Sequence, residues 1–403
     1  MAVYLDHAAT TPMVPEAREA LLAGLELTGN PSSIHGHGQA AKRMLEGARE
    51  RVASALGTDP IEVVLTSGGT EAINLGVKGL YWARRQQDPA RTRILAPRGE
   101  HHATVDAVEW LANHEGAFVD WLPVDGAGLV DLVVAEQRMR EHAAEIALVT
   151  VILANNEVGS MQPVRALTAL AAEHGIPVHV DAVAAFGHVP VSLRDLGAAA
   201  LSVSAHKIGG PVAMGALALA RAHTVEALIH GGGQQRGVRS GTQDVPAALA
   251  FAAASDAALS RMQAEGTRLD LLAKRLAEGL TQISGAQLRG APLDGTLNDG
   301  GVEVRARVPG NVHFTFDGCQ GDSLLFLLDM AGFSVSTGSA CQAGIAEPSH
   351  VLLGMGLPER SALSALRFTL GASTTEAEVD ALLRVLPRIV EQARTAGFSD
   401  RTV

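Results

Sequence analysis

The run Ala147 to Leu153, ALVTVIL, carries one polar residue and is flanked by polar, helix-like stretches. A strand this apolar needs both faces covered, which points to a parallel sheet with helices packed above and below it. Ile61 to Leu65 (IEVVL), Arg93 to Ala96, Ile176 to Val180 (IPVHV), Ala200 to Val203 and Ala216 to Ala220 read as further strands. Helices are expected over Thr70 to Trp82 and Val164 to His174. The alternation predicts an α/β chain on a mostly parallel sheet, with ligands bound beyond the carboxyl ends of the strands.

At 403 residues the chain is long for one core and predicts about two domains. A helical pattern from about Pro246 to Ile283, with Leu269, Leu272, Leu276 and Leu280 at helical spacing, bridges a large domain to a smaller one. The smaller part reads as α+β: Val312 to Phe316 as a strand, Gly321 to Met330 as a helix, Ser361 to Thr369 as mixed. Pro292 to Gly301, polar and rich in glycine, reads as a loop.

Apolar residues make up 47% and charged residues 19%, which excludes global disorder. A net charge of −11 argues against broad binding to a phosphate backbone, and 3% aromatics against a stacking platform for single strands. Two cysteines, Cys319 and Cys341, cannot form a disulfide scaffold. No CxxC or HExxH spacing suggests a metal. The start, MAVYLDHAATTP, lacks the basic-then-apolar pattern of a secretory signal, and Ile146 to Ala154 is far too short for a membrane span. A soluble cytoplasmic protein is the expectation.

Chemistry is sought after each strand. Thr66-Ser67-Gly68-Gly69-Thr70 follows IEVVL and opens a helix, so its N–H groups suit a phosphate; an ordinary capped turn is the competing reading. Asp181 follows IPVHV, and Lys207 lies in Ser204-Ala205-His206-Lys207-Ile208-Gly209-Gly210 after the next strand. Alone, each reads as a helix cap or a surface turn. Together they suit an aldehyde cofactor, the amine forming a Schiff base and the carboxylate holding a pyridinium proton. With the glycine-rich loop they point to pyridoxal phosphate.

His101 suits ring stacking or proton movement, against a structural or surface role shared with His102. In Asn155-Asn156-Glu157 one amide suits a cofactor or substrate oxygen, against a plain turn. Ser336 to Gly344 is a run of small residues around Cys341, without a bulky anchor, which fits a nucleophile that swings. Cys319 better fits a buried small hydrophobe. Arg367 lies inside an apolar stretch and requires a partner, either a substrate carboxylate or a structural acid.

In order along the chain, Tyr4 to Pro12, Gly29 to Ser33, Thr66 to Glu71, Glu100-His101, Asn155 to Glu157, His179 to Ala182, Ser204 to Lys207, Arg239 to Thr242, Thr337 to Cys341 and Arg367-Phe368 are similar to the cysteine desulfurases of the NifS/IscS type, within the class V aminotransferase group. The match runs nearly end to end. The resemblance implies the pyridoxal-phosphate-dependent transferase fold type I. It comprises a large domain with a mostly parallel seven-stranded sheet flanked by helices, plus a smaller α+β C-terminal domain. The implied boundaries are 1–15 for an N-terminal segment packing with the small domain, 16–255 for the large domain and 256–403 for the small one, which carries the cysteine loop.

The resemblance also implies roles. Lys207 resembles the Schiff-base lysine, Asp181 the pyridinium partner and His101 the ring-stacking histidine. Gly69, Thr70, Ser204 and His206 resemble the phosphate cradle, and Thr242 the residue that a second subunit adds to it, which implies a homodimer. Asn156 resembles the cofactor-contacting amide, Arg367 the substrate carboxylate anchor and Cys341 the persulfide-forming nucleophile. The implied reaction converts L-cysteine to L-alanine and passes sulfur to an iron–sulfur scaffold or a tRNA-thiolation enzyme. Selenocysteine lyase, a class V aminotransferase and a non-enzymatic sulfur carrier are the alternatives. Two positions depart from the family pattern: Ala184 stands where a glutamine is usual, and Gln342-Ala343-Gly344 follows the cysteine in place of Thr-Ser-Ala.

Overall fold

A computed structural model describes residues 2–338 and 347–396. The chain starts with a short strand β1 (Val3–Tyr4) and helices α1 (Pro15–Leu25) and α2 (Gly36–Ala55). Strand β2 (Val63–Thr66) leads into α3 (Gly69–Gln87), β3 (Arg93–Pro97) into α4 (His102–Glu115), β4 (Phe118–Leu122) into α5 (Leu132–His142), and β5 (Ile146–Ile152) into α6 (Val164–Glu173). Strands β6 (Val178–Asp181), β7 (Ala200–Ser204) and β8 (Gly215–Leu219) follow.

These make one seven-stranded sheet in the order β2-β8-β7-β6-β5-β3-β4. Pairings from β7 through β4 are parallel, and β8 runs antiparallel to both β2 and β7. All seven residues of β5 are buried, as a central strand covered on both faces requires. Helices α3 and α4 pack on one face through Ile73, Leu80, Val108 and Leu111. Leu45 and Val52 of α2, Leu167 of α6 and Phe251 of a later helix belong to the core on the other.

That later helix, α7 (Val245–Thr281), runs for 37 residues. Its alanine-rich first half lies in the large core and Leu269, Leu272, Leu276 and Leu280 lie in a second one. Gly24 of α1 lets the two helices approach: a Cβ there would lie 2.6 Å from the Cα of Pro246. The second core is built on β9 (Ala286–Leu288), β12 (Asn311–Phe316) and β14 (Ala365–Thr369), in the antiparallel order β14-β12-β9. Between them come β10 (Thr296–Asp299), β11 (Val302–Arg305), α8 (Gly321–Met330), β13 (Phe333–Ser334), α9 (His350–Gly354) and α10 (Glu359–Ala362). Helix α11 (Glu376–Ala396) closes the described chain. Strand β1 pairs in parallel with β13, and Leu5 is buried in the second core.

The expected loop over Pro292 to Gly301 is corrected: β10 and β11 form an antiparallel hairpin. Gly300 and Gly301 both have positive φ, 63° and 88°, as a tight two-residue hairpin turn demands, so these glycines mark a turn between strands. The stretch Ser361 to Thr369 resolves into the end of α10 and all of β14.

Leu276 is fully buried, whereas Leu271 of the same helix is 67% exposed. Leu276→Ala is expected to cost about 2–5 kcal/mol in urea unfolding, and Leu271→Ala less than about 0.5 kcal/mol. Equal costs would mean that the second core does not close on this helix face.

Candidate active site

The carboxyl ends of β2, β5, β6 and β7 converge on a cavity of about 390 Å³ that the second core completes through Ser336, Gly338 and Arg367. After β2 the chain turns through Gly68 and enters α3 at Gly69. A Cβ at Gly69 would lie 2.8 Å from a methyl of Val183, so only glycine lets this helix start so close to the β6 segment. Glu71, in the first turn of α3, is held by Arg239 at 2.8 Å and accepts from the Ser67 N–H at 2.8 Å. Gly69 and Thr70 thus present the amino end of α3 to the cavity.

Asp181 ends β6 and is 2% exposed; one carboxyl oxygen accepts from the Val183 N–H at 2.9 Å. Burial pushes its pKa up to about 6, against the pull of that hydrogen bond and of the Lys207 charge. Lys207 sits in a single helical turn, Ala205 to Ile208, after β7. Its ammonium donates to the carbonyls of Ala8 and Ala9 in the N-terminal segment. Burial, aided by the Arg367 charge, lowers its pKa to about 8. Ser204 ends β7, and its hydroxyl is buried with no protein partner. The next residues supply His206, whose Nδ1 lies 3.2 Å from the Thr10 hydroxyl. Burial and the Lys207 charge hold the His206 imidazole at about 4.

His101 caps α4, accepting from the Ala103 N–H at 3.0 Å while its ring lines the cavity. Burial, with the Lys207 charge, lowers its pKa to about 4, so the ring is neutral at physiological pH. The preceding residue, Glu100, is fully buried; it accepts from the Ile152 N–H at 2.7 Å, and burial raises its pKa well above the usual range. The structure separates the two asparagines. Asn155 spends its oxygen on the N–H groups of Glu157 and Val158 and its amide on the Gly99 carbonyl. Asn156 lines the cavity, and its side-chain oxygen is buried without a protein partner.

Arg367 is 5% exposed at the centre of β14. It donates to the Asn156 carbonyl at 2.8 Å and to Asp6 at 2.8 Å, while its Nε is buried without a partner. The acid expected as one alternative is therefore Asp6, 361 positions away, and the same guanidinium also lines the cavity. No role for Asp6, Ala8 or Ala9 emerged from the sequence. The signal available was the small, turn-like run DHAATTP at the start, whose partners lie too far along the chain to be read from spacing.

The structure thus brings Gly69, Thr70, His101, Asn156, Asp181, Ser204, His206, Lys207 and Arg367 to one cavity. Thr242 is exposed and does not line it. Cys341 lies outside the described residues. Cys319 is fully buried, and burial pushes its thiol pKa up. Among the described residues, no group of three or more His, Cys, Asp or Glu is placed to hold a metal, and no helix is long and apolar enough to cross a membrane.

Residues 3–382 match the family model for class V aminotransferases. An IscS-like cysteine desulfurase of Mycobacterium tuberculosis is 48% identical over 98% of each chain. A solved NifS-like protein superposes with a TM-score of 0.87 at 34% identity, covering 97% of this chain and 100% of that one. SspA, solved in complex with cysteine, gives a TM-score of 0.74 at 28% identity, over 91% and 98% of the two chains. The chain belongs to the class V aminotransferase family, among its IscS-like cysteine desulfurases. Proteins of this family depend on pyridoxal 5′-phosphate.

Folded Asp181 keeps its proton up to about pH 6, against 3.8 for a free side chain. Between these values the folded state binds more protons, so this group's contribution to stability falls as pH rises through that window. Asp181→Asn is therefore expected to stabilise the cofactor-free protein at pH 7, by up to about 3 kcal/mol, in denaturant titrations. The gain should vanish below about pH 4.

Proposed function

We propose that this chain is a cysteine desulfurase that uses pyridoxal 5′-phosphate to take sulfur from L-cysteine, leaving L-alanine, and carries that sulfur on Cys341. The observation that supports it best is the meeting of Asp181 and Lys207, from adjacent strand ends, with the Gly69–Thr70 helix start in one cavity. The residues fit the cofactor. The buried Ser204 hydroxyl without a protein partner suits a phosphate oxygen, together with the Gly69 and Thr70 end of α3 and His206. The buried Asp181 carboxyl suits a ring nitrogen that carries a proton. Bound pyridoxal phosphate supplies an aldehyde for amines and a ring that accepts electrons from the substrate carbon.

The chain's own groups do the rest. Lys207, held near pH 8, is partly neutral at physiological pH and can attack a carbonyl carbon and later move a proton at the substrate carbon. His101, neutral and fixed by its cap bond, offers a flat ring to the cofactor and a second proton-handling site. Asn156 adds an amide on the cavity wall. Arg367 offers its buried Nε and the edge of its guanidinium to the substrate carboxylate, with Asp6 fixing its orientation. The Cys341 thiolate attacks the substrate sulfur: the C–S bond breaks, an S–S bond forms, and the carbon leaves with the electron pair and takes up a proton. Thr242, exposed in one chain, is assigned to the phosphate site of a second copy in a homodimer. The persulfide passes to an iron–sulfur scaffold or a tRNA-thiolation enzyme in the cytoplasm.

Mass spectrometry of the protein after L-cysteine tests this reading. Cys341→Ser should keep its cofactor yet lose the reducible sulfur and nearly all alanine, whereas Cys319→Ser should retain both. Normal alanine release by Cys341→Ser would overturn it in favour of a lyase or aminotransferase.

Lysine has no planar fork, so Arg367→Lys should raise the KM for L-cysteine about tenfold or more while cofactor content holds. Unchanged KM would make Arg367 the structural partner of Asp6 alone.

A further inference from the structure

Behind the catalytic cavity lies a second, smaller one of about 40 Å³. Ala8, Asn156, Ala184 and Lys207 border both, so the short side chain of Ala184 is part of the wall between them. Three buried polar atoms with no protein partner belong to residues lining the smaller cavity: Nε2 of His7, Oδ1 of Asn156 and Oδ1 of Asn311. His7 is 7% exposed and Asn311 3%. Their remaining polar atoms are engaged and fix their orientation. His7 Nδ1 lies 2.6 Å from the Thr11 hydroxyl, and the Asn311 amide donates to the Glu157 carbonyl at 3.1 Å.

The chemistry of the three atoms is complementary. Burial holds His7 at about 4, so its ring is neutral and carries one proton. In the tautomer in which the Thr11 hydroxyl donates to Nδ1, that proton sits on Nε2, which then donates. The two asparagine oxygens accept. A water molecule offers two donors and two acceptor sites; bonds to these three atoms, the usual number inside a protein, use both donors and one acceptor site and leave one lone pair facing the catalytic cavity. The cavity exceeds the roughly 10–15 Å³ that one water requires.

We propose that this cavity is an ordered-water site, built by His7, Asn156 and Asn311, and that its water supplies the polar surface of the catalytic cavity beside position 184. Ala184 itself presents only a methyl group there. The water's contact with a bound cofactor rests on the function proposed above; the water site itself does not.

A crystal structure at better than about 2 Å, of the protein with and without pyridoxal phosphate, tests this. The expected result is a water within hydrogen-bond distance of at least two of the three atoms in both states. In the loaded protein it should also lie within that distance of the cofactor. A dry cavity would overturn the site, and a water that touches protein atoms alone would overturn its role toward the cofactor. Ala184→Leu fills the opening without a polar atom and should lower the melting temperature of the cofactor-free protein. Ala184→Gln, whose amide can take the water's place, should lower it less. Equal melting temperatures for the two variants would count against the site. A protein that holds the water but takes up no pyridoxal phosphate would defeat the proposed function and leave the water site standing.

Discussion

Desolvation of the Asp181 carboxyl and the Lys207 amine in one cavity is the constraint on which the site depends. Each is carried out of water by the end of a strand, and each is pushed toward its neutral form, Asp181 to about 6 and Lys207 to about 8. A lysine in solution is almost wholly protonated at neutral pH and a poor nucleophile. Burial, helped by the Arg367 charge, removes much of that handicap. The same burial makes Asp181 costly to the folded chain until something positive meets it, which is the physical sense in which a binding site draws on the stability of its scaffold.

The fold meets that requirement by bringing distant segments together. The sheet sets Asp181 and Ser204 at the ends of adjacent parallel strands, Asp181 paired with Ser202 two residues before Ser204, with Lys207 one turn later. The N-terminal segment then crosses to the second core. It pairs β1 with β13, buries Leu5, sets Asp6 against Arg367 and lends the Ala8 and Ala9 carbonyls to Lys207. One short segment thereby orients both the amine and the guanidinium. Fixing Arg367 through Asp6 and the Asn156 carbonyl reduces the rotamer freedom lost when a carboxylate binds.

How much of this was legible in the sequence depends on the range of the interaction. Asp181 and Lys207 were readable because strand ends in a parallel sheet share one edge, so two local patterns imply a spatial pair. The buried character of Cys319 was readable from the apolar strand that it follows. The hairpin at Gly300 and Gly301 was missed because glycine content alone does not separate a loop from a two-residue turn. Strand β4, FVDWL, escaped notice because it lies at the sheet edge, with Phe118 54% exposed and the core pattern broken. The division of labour between Asn155 and Asn156 was invisible, since adjacent identical residues differ only in which way the turn aims them. The Asp6–Arg367 pair, set by tertiary contact alone, carries no local signal. The smaller cavity behind Ala184 is likewise a product of packing among His7, Asn156 and Asn311.

The central claim is that Lys207 is the amine that holds the cofactor. The chain has four lysines, Lys42, Lys78, Lys207 and Lys274, so the test is clean. Borohydride reduction of the protein loaded with pyridoxal phosphate, followed by peptide mapping, should place the added mass on Lys207. Attachment to Lys42, Lys78 or Lys274, with Lys207 unmodified, would contradict the account.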